Sequence, residues 1–214
     1  MKKTLYSLML SDDVVREIDI LAHRMGTNRS NLVNMILAEH VSLRTPEQQI
    51  NDIFKALNEL MSPSRELVPF FEPNMPTMSL KSCLEYKYRP TVRYEVELYG
   101  ISRDGAVGTL SVIFRTQSAA LIEAMTMFFR LWKQMEDRYL EPYSTSREYA
   151  LYDGKFQRTI GAAYDMTSNE LAQGISDYIN LFDALMKRYI GGTMTAEDVA
   201  AAYHRELMNG KIVI

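Results

Sequence analysis

Hydrophobic and polar positions alternate at the start of the chain and then switch to helical spacing. From Leu5 to Leu10, Tyr6, Leu8 and Leu10 fall on one face and Leu5, Ser7 and Met9 on the other. A period of two predicts a strand with one buried face. Ser11 stands where a helix N-cap belongs, and Asp12 and Asp13 suit the positive end of the helix that follows. Val14, Ile18, Leu21 and Met25 make its apolar stripe, and Gly26 ends it. Asn28 caps a second helix whose inward residues are Leu32, Val33, Ile36, Leu37 and Val41.

Further along, Thr45-Pro46-Glu47-Gln48 is a capping box with proline in the first turn. Ile50, Ile53, Phe54, Leu57 and Leu60 continue that helix as a connector. Four of the seven prolines lie within residues 62–79, which reads as a boundary, with Phe70 and Phe71 docking part of it on a surface. Antiparallel strands are expected over residues 81–115. Leu84, Tyr86 and Tyr88 face inward in the first, Val92, Tyr94, Val96 and Leu98 in the second, and Leu110, Val112 and Phe114 in the third. Two helices carry equal seams spaced 4, 3, 4, 3, 4: Leu121 to Tyr139, and Leu171 to Tyr189. Equal seams predict that the two pack together, within a chain or across a dimer. An Asp153-Gly154 hairpin lies between them, and Thr195 caps a last helix that Gly210 stops.

One short strand and two helices cannot build a core alone, because the strand leaves both edges unpaired. A symmetric dimer solves this by pairing two copies of the strand above four helices. The order strand, Ser-Asp-Asp, helix, Met-Gly, Asn-Arg-Ser, helix over residues 2–43 resembles the ribbon-helix-helix superfamily of DNA-binding proteins. The resemblance implies that the ribbon enters the major groove and that Leu5, Ser7 and Met9 face the bases. It also implies that Lys2, Lys3, Asn28, Arg29 and Ser30 meet phosphate, and that Tyr6, Leu8, Leu10, Ile18, Leu32, Ile36 and Leu37 form the dimer core. Of the base-facing residues only Ser7 is a hydrogen-bonding one; Leu5 and Met9 suit thymine methyls and lack bidentate readout.

The expected fold class is therefore α+β: a ribbon-helix-helix module at 1–44, a connector helix and proline-rich linker at 45–79, and an oligomerisation or effector domain of antiparallel sheet and long packed helices at 80–214. The expected function is a sequence-specific transcriptional regulator, a repressor, acting on double-stranded DNA as a homodimer or tetramer. A small-molecule or protein effector would act on the C-terminal domain. The alternative is an interaction protein of the plasmid-partition, relaxosome-accessory or antitoxin type.

Composition changes this picture little. The chain has 214 residues, 24 cationic and 27 acidic, for a net charge of −3. That argues against a general nucleic-acid coat or a membrane-surface protein. Residues 1–46 carry six cations and five acids, a weak basic bias for a DNA surface. A single cysteine, Cys83, excludes an internal disulfide and fits the cytoplasm, and no apolar run has membrane-spanning length. His23, His40 and His204 share no metal-ligand spacing, so the metal domain of the nickel-responsive ribbon-helix-helix regulators is not expected, nor is any cofactor. No phosphate-loop, dinucleotide or nucleophile-elbow motif occurs, Glu85, Glu95 and Glu97 read as strand surface groups, and enzymatic activity is not expected. Met75, Met78, Met125, Met127 and Met135 read as adaptable core rather than the lining of an effector pocket.

Overall fold

The computed structural model describes residues 4–63, 66–85, 89–141, 147–161 and 166–210, without the side chain of residue 103. Helices come first: α1 (Asp12–Arg24), α2 (Arg29–His40) and α3 (Pro46–Met61). Strands β1 (Val68–Phe71), β2 (Thr77–Cys83), β3 (Thr91–Arg103) and β4 (Ala106–Phe114) follow, then α4 (Ala119–Tyr139). The hairpin β5 (Tyr149–Tyr152) and β6 (Lys155–Gly161), then α5 (Ser168–Ile190) and α6 (Ala196–Met208), complete the described chain. The architecture is mixed α+β. The six strands form one antiparallel sheet in the order β1-β2-β3-β4-β6-β5.

The alternation along the strands decides which face the helices cover. Met78 and Leu80, then Val92, Tyr94, Val96 and Leu98, then Leu110, Val112 and Phe114, and Phe156 and Ile160 are all buried in one cluster with the helices. The two equal seams meet inside one chain: Phe128 and Trp132 of α4 pack on Phe182 of α5 at ring separations of 5.3 and 4.6 Å. The other sheet face is polar. Register places Glu97 beside Thr109 and Glu95 beside Ser111, and Arg93 pairs with Glu95 at 3.0 Å. Gly108 lies close against β3: a Cβ there would lie 2.4 Å from the Glu97 carbonyl oxygen. Any side chain would have to push the strands apart.

Three expectations need correction. Residues 62–79 are not a linker, because β1 and β2 occupy much of that stretch. Proline is tolerated there because β1 is the sheet edge, where Pro69 leaves no ladder bond unmade on its open side. Strand β2 spans Thr77–Cys83, ending just before Leu84, and the expected inward residues Tyr86 and Tyr88 fall outside the described residues. Nor is α3 a free connector. Ile50, Ile53, Phe54, Leu57 and Met61 are buried in the same cluster as the sheet, and Leu60, expected inward, is exposed. Of the five methionines read as core, Met78, Met125 and Met135 are buried, whereas Met75 and Met127 are exposed.

Charge is also buried inside the helical layer. Arg158 on β6 and Glu136 on α4 are both fully buried and 3.3 Å apart. The guanidinium lies over the Tyr178 ring at 4.5 Å, and Trp132 donates a 2.8 Å hydrogen bond to the Tyr178 hydroxyl. Burial opposes the charge on Arg158 most strongly, but Glu136 together with Tyr178, Tyr149 and Tyr203 outweighs it, and the guanidinium pKa is raised. Burial, reinforced by Glu136, pushes the hydroxyls of Tyr149, Tyr178 and Tyr203 well above their ordinary range. Nearby, Tyr94 donates to Asp183 at 2.8 Å, and Lys187 bridges Asp183 and Glu66 at 2.7 and 2.8 Å, tying α5 to the segment before β1.

Candidate nucleic-acid interface

Residues 4–10 carry no regular secondary structure in the single chain, so the expected strand is not seen. A lone strand has no ladder partner, and the ribbon implied by the resemblance needs a second chain. Exposure nevertheless differs between its two faces. Leu5 and Met9 are 97% and 102% exposed, whereas Leu8 and Leu10 are 59% and 43% exposed. Tyr6, at 84%, does not follow that trend.

Behind this segment, α1 and α2 form a helical pair. Gly26 adopts φ +61°, which lets the chain reverse between them. Ser11 occupies the cap position of α1 but makes no side-chain capping bond there, contrary to its expected role. The Asn28 cap does form: its side-chain oxygen accepts the Asn31 amide at 2.9 Å. The amides of Arg29 and Ser30 lie in the part of a helix start that has no intrahelical acceptor, and both residues are exposed. Leu32 is buried between the helices and Ile18 is half-buried. Ile36 and Leu37, expected in the dimer core, are exposed in the single chain at 43% and 53%. Lys2 and Lys3 fall outside the described residues.

Sequence reasoning missed how Arg29 is held. Its Nε donates to Asp19 Oδ1 at 2.7 Å, and a second guanidinium nitrogen donates to Asp19 Oδ2. This fork joins α1 to α2 at the surface of the pair, so a phosphate would have to share the guanidinium with the carboxylate. Its hydrogen bonds hold the Asp19 pKa below the ordinary carboxylate value and raise that of Arg29. A depressed carboxylate pKa stabilises the fold above the unfolded value and loses that contribution as pH falls through the folded one. The α1–α2 pairing is therefore expected to loosen in acid, below the ordinary value of 3.8. An Asp19→Asn variant should lack that acid step. Amide exchange across residues 12–40 against pH checks this, and identical profiles for the two proteins would contradict it. The sequence signal was thin, because nothing in a ten-residue separation across a turn marks a pair.

Twelve of the 21 large apolar residues left exposed among the described residues lie between Leu5 and Leu43. A fifth of the chain thus carries over half of the uncovered large apolar residues among those described. No family model, no curated protein and no solved structure matches this chain. Among the described residues no group of three or more His, Cys, Asp or Glu is arranged to hold a metal ion, and no helix is long and apolar enough to cross a membrane.

Proposed function

We propose that this chain is a sequence-specific DNA-binding regulator, a repressor, whose residues 2–43 form a ribbon-helix-helix head by pairing with a second copy. The observation that carries this reading is the apolar surface from Leu5 to Leu43, uncovered in a single chain at five of the seven residues assigned to the dimer core: Tyr6, Leu8, Leu10, Ile36 and Leu37. Two copies would pair residues 4–10 as a ribbon, cover Leu8, Leu10, Ile36 and Leu37, and turn Leu5, Ser7 and Met9 toward the major groove. The start of α2 would then meet phosphate on either side. The sheet and the helices α3–α6 would hold the two heads at a set spacing or build tetramers over adjacent half-sites.

Two substitutions separate phosphate contact from base reading. Arg29→Ala should weaken binding to all DNA sequences about equally and lower the salt slope by roughly one. Ser7→Ala should shift sequence preference while changing overall affinity little. Salt-titrated fluorescence anisotropy on specific and scrambled duplexes reads both. Unchanged affinity for Arg29→Ala would show that its guanidinium serves Asp19 alone.

A second reading is favoured by two observations, the engagement of Arg29 with Asp19 and the exposed, apolar Leu5 and Met9. On that reading the chain is an interaction protein of the partition, relaxosome-accessory or antitoxin type, and its head is covered by another protein. A stable stoichiometric complex with a second protein, together with weak, sequence-independent DNA binding, would favour it.

A further inference from the structure

A cleft of about 980 Å³ opens between the α1–α2 pair and the body formed by α3 and β1. That volume is at the upper end of the range for small-molecule sites. Its width is set by a built contact. Asn74, in the turn between β1 and β2, adopts φ +64°, a costly conformation for a residue with a side chain. Asn51 of α3 holds it there: the Asn51 amide donates to Asn74 Oδ1 at 2.8 Å, and the Asn74 backbone amide donates to Asn51 Oδ1 at 2.9 Å. The Asn74 side chain then donates to the Met25 carbonyl at the end of α1 at 2.6 Å. Two hydrogen bonds thus fix Asn74 within the body, and one, to the Met25 carbonyl, ties the helical pair to it beside the cleft.

Each wall brings the same three kinds of group. The helical pair supplies Arg24, Glu39 and Met35; the body supplies Lys55, Glu72 and Phe71. None of these four charged residues forms an ion pair with another described residue. Arg44, between α2 and α3, and Asp52 of α3 also line the cleft and approach only to 4.0 Å. Uncommitted charges of both signs around an apolar floor suit a ligand that carries both signs and an apolar body. A lone anion or a lone cation would meet as much repulsion as attraction, and a free amino acid would leave most of the volume empty.

We propose that this cleft binds a short apolar peptide with both termini free, clamping the helical pair to the body. Binding at this place is independent of DNA reading, so it stands or falls separately from the function proposed above. The test is isothermal titration of the full chain with leucyl-phenylalanine, its N-acetylated form, its C-amidated form and free phenylalanine. Saturable binding is expected for the free dipeptide. Each blocking group should weaken it by about two- to fivefold, the worth of a solvent-exposed charge pair, and free phenylalanine should bind more weakly still. Arg24→Gln and Glu72→Gln, exposed substitutions that leave the core intact, should each weaken the dipeptide by a similar factor. Blocked dipeptides that bind as tightly as the free one, phenylalanine that binds as tightly as the dipeptide, binding unchanged in both variants, or no binding at millimolar concentration would each overturn the proposal.

Discussion

Glu136→Gln is expected to lower the unfolding free energy by about 3–5 kcal/mol, because it removes the carboxylate charge that faces the buried Arg158 guanidinium. Arg158 has no exposed surface and lies 3.3 Å from Glu136, with the Tyr178 ring against its guanidinium. A neutral amide keeps the shape of the carboxylate and removes its charge, so packing stays nearly constant and the electrostatic loss dominates. Replacing both partners, Glu136→Leu with Arg158→Leu, should restore most of the loss, since an apolar pair needs no compensating charge. Urea unfolding followed by the fluorescence of Trp132, the one tryptophan of the chain, reads this locally, because its indole bonds to Tyr178. A Glu136→Gln protein as stable as the parent would show that the pair carries no net stabilisation. A double variant less stable than either single one would show that the cluster is held by more than its charges.

Phe182→Ala should cost a similar amount, about 3–5 kcal/mol, for a different reason. The ring has no exposed surface and touches six aromatic neighbours at centroid separations of 4.6 to 6.3 Å: Tyr94, Phe128, Phe129, Trp132, Phe156 and Tyr178. These come from β3, α4, β6 and α5, so the ring is where the sheet and both long helices meet. Its removal leaves a cavity that rigid strands on one side cannot close. Phe182→Leu, which refills part of the volume, should recover about half of the loss. Equilibrium unfolding of both variants checks the ranking, and equal stability of Phe182→Ala and the parent would contradict the assignment of this contact point.

Periodicity explains which parts of the fold were legible in the sequence. Leu121 to Tyr139 and Leu171 to Tyr189 each repeat one seam for five steps, and a seam that long has one way to be buried. Thr45 with Gln48 and Thr195 with Asp198 announced their helices, because a capping box is satisfied locally, and both form. The stretch at 62–79 was misread because proline density marks broken backbone but does not distinguish a linker from an edge strand. Arg158 was overlooked although it sits between Phe156 and Ile160 on the inward side of an alternating strand, a position where a charge demands a buried partner. Glu136 could not be named as that partner, because only the tertiary fold brings α4 over β6.

The candidate interface divides in the same way. The Asn28 cap and the two flanking helices could be read from local chemistry. The ribbon could not be tested along one chain, since its hydrogen bonds belong to a pair of chains. The Asp19–Arg29 fork and the Asn74 bolt depend on how helices meet, and no spacing rule reaches them.

In vitro selection of genomic DNA fragments by the full-length protein, beside a Leu8→Asp variant, tests the central claim most directly. Leu8 is expected to be covered only when two chains pair, so an aspartate there should break the ribbon while leaving the folded body intact. The account predicts that the parent is at least a dimer and enriches a recurrent inverted or tandem repeat, and that folded Leu8→Asp enriches nothing. A folded, oligomeric parent that enriches no sequence, or a folded Leu8→Asp protein that recovers the same repeat, would contradict it.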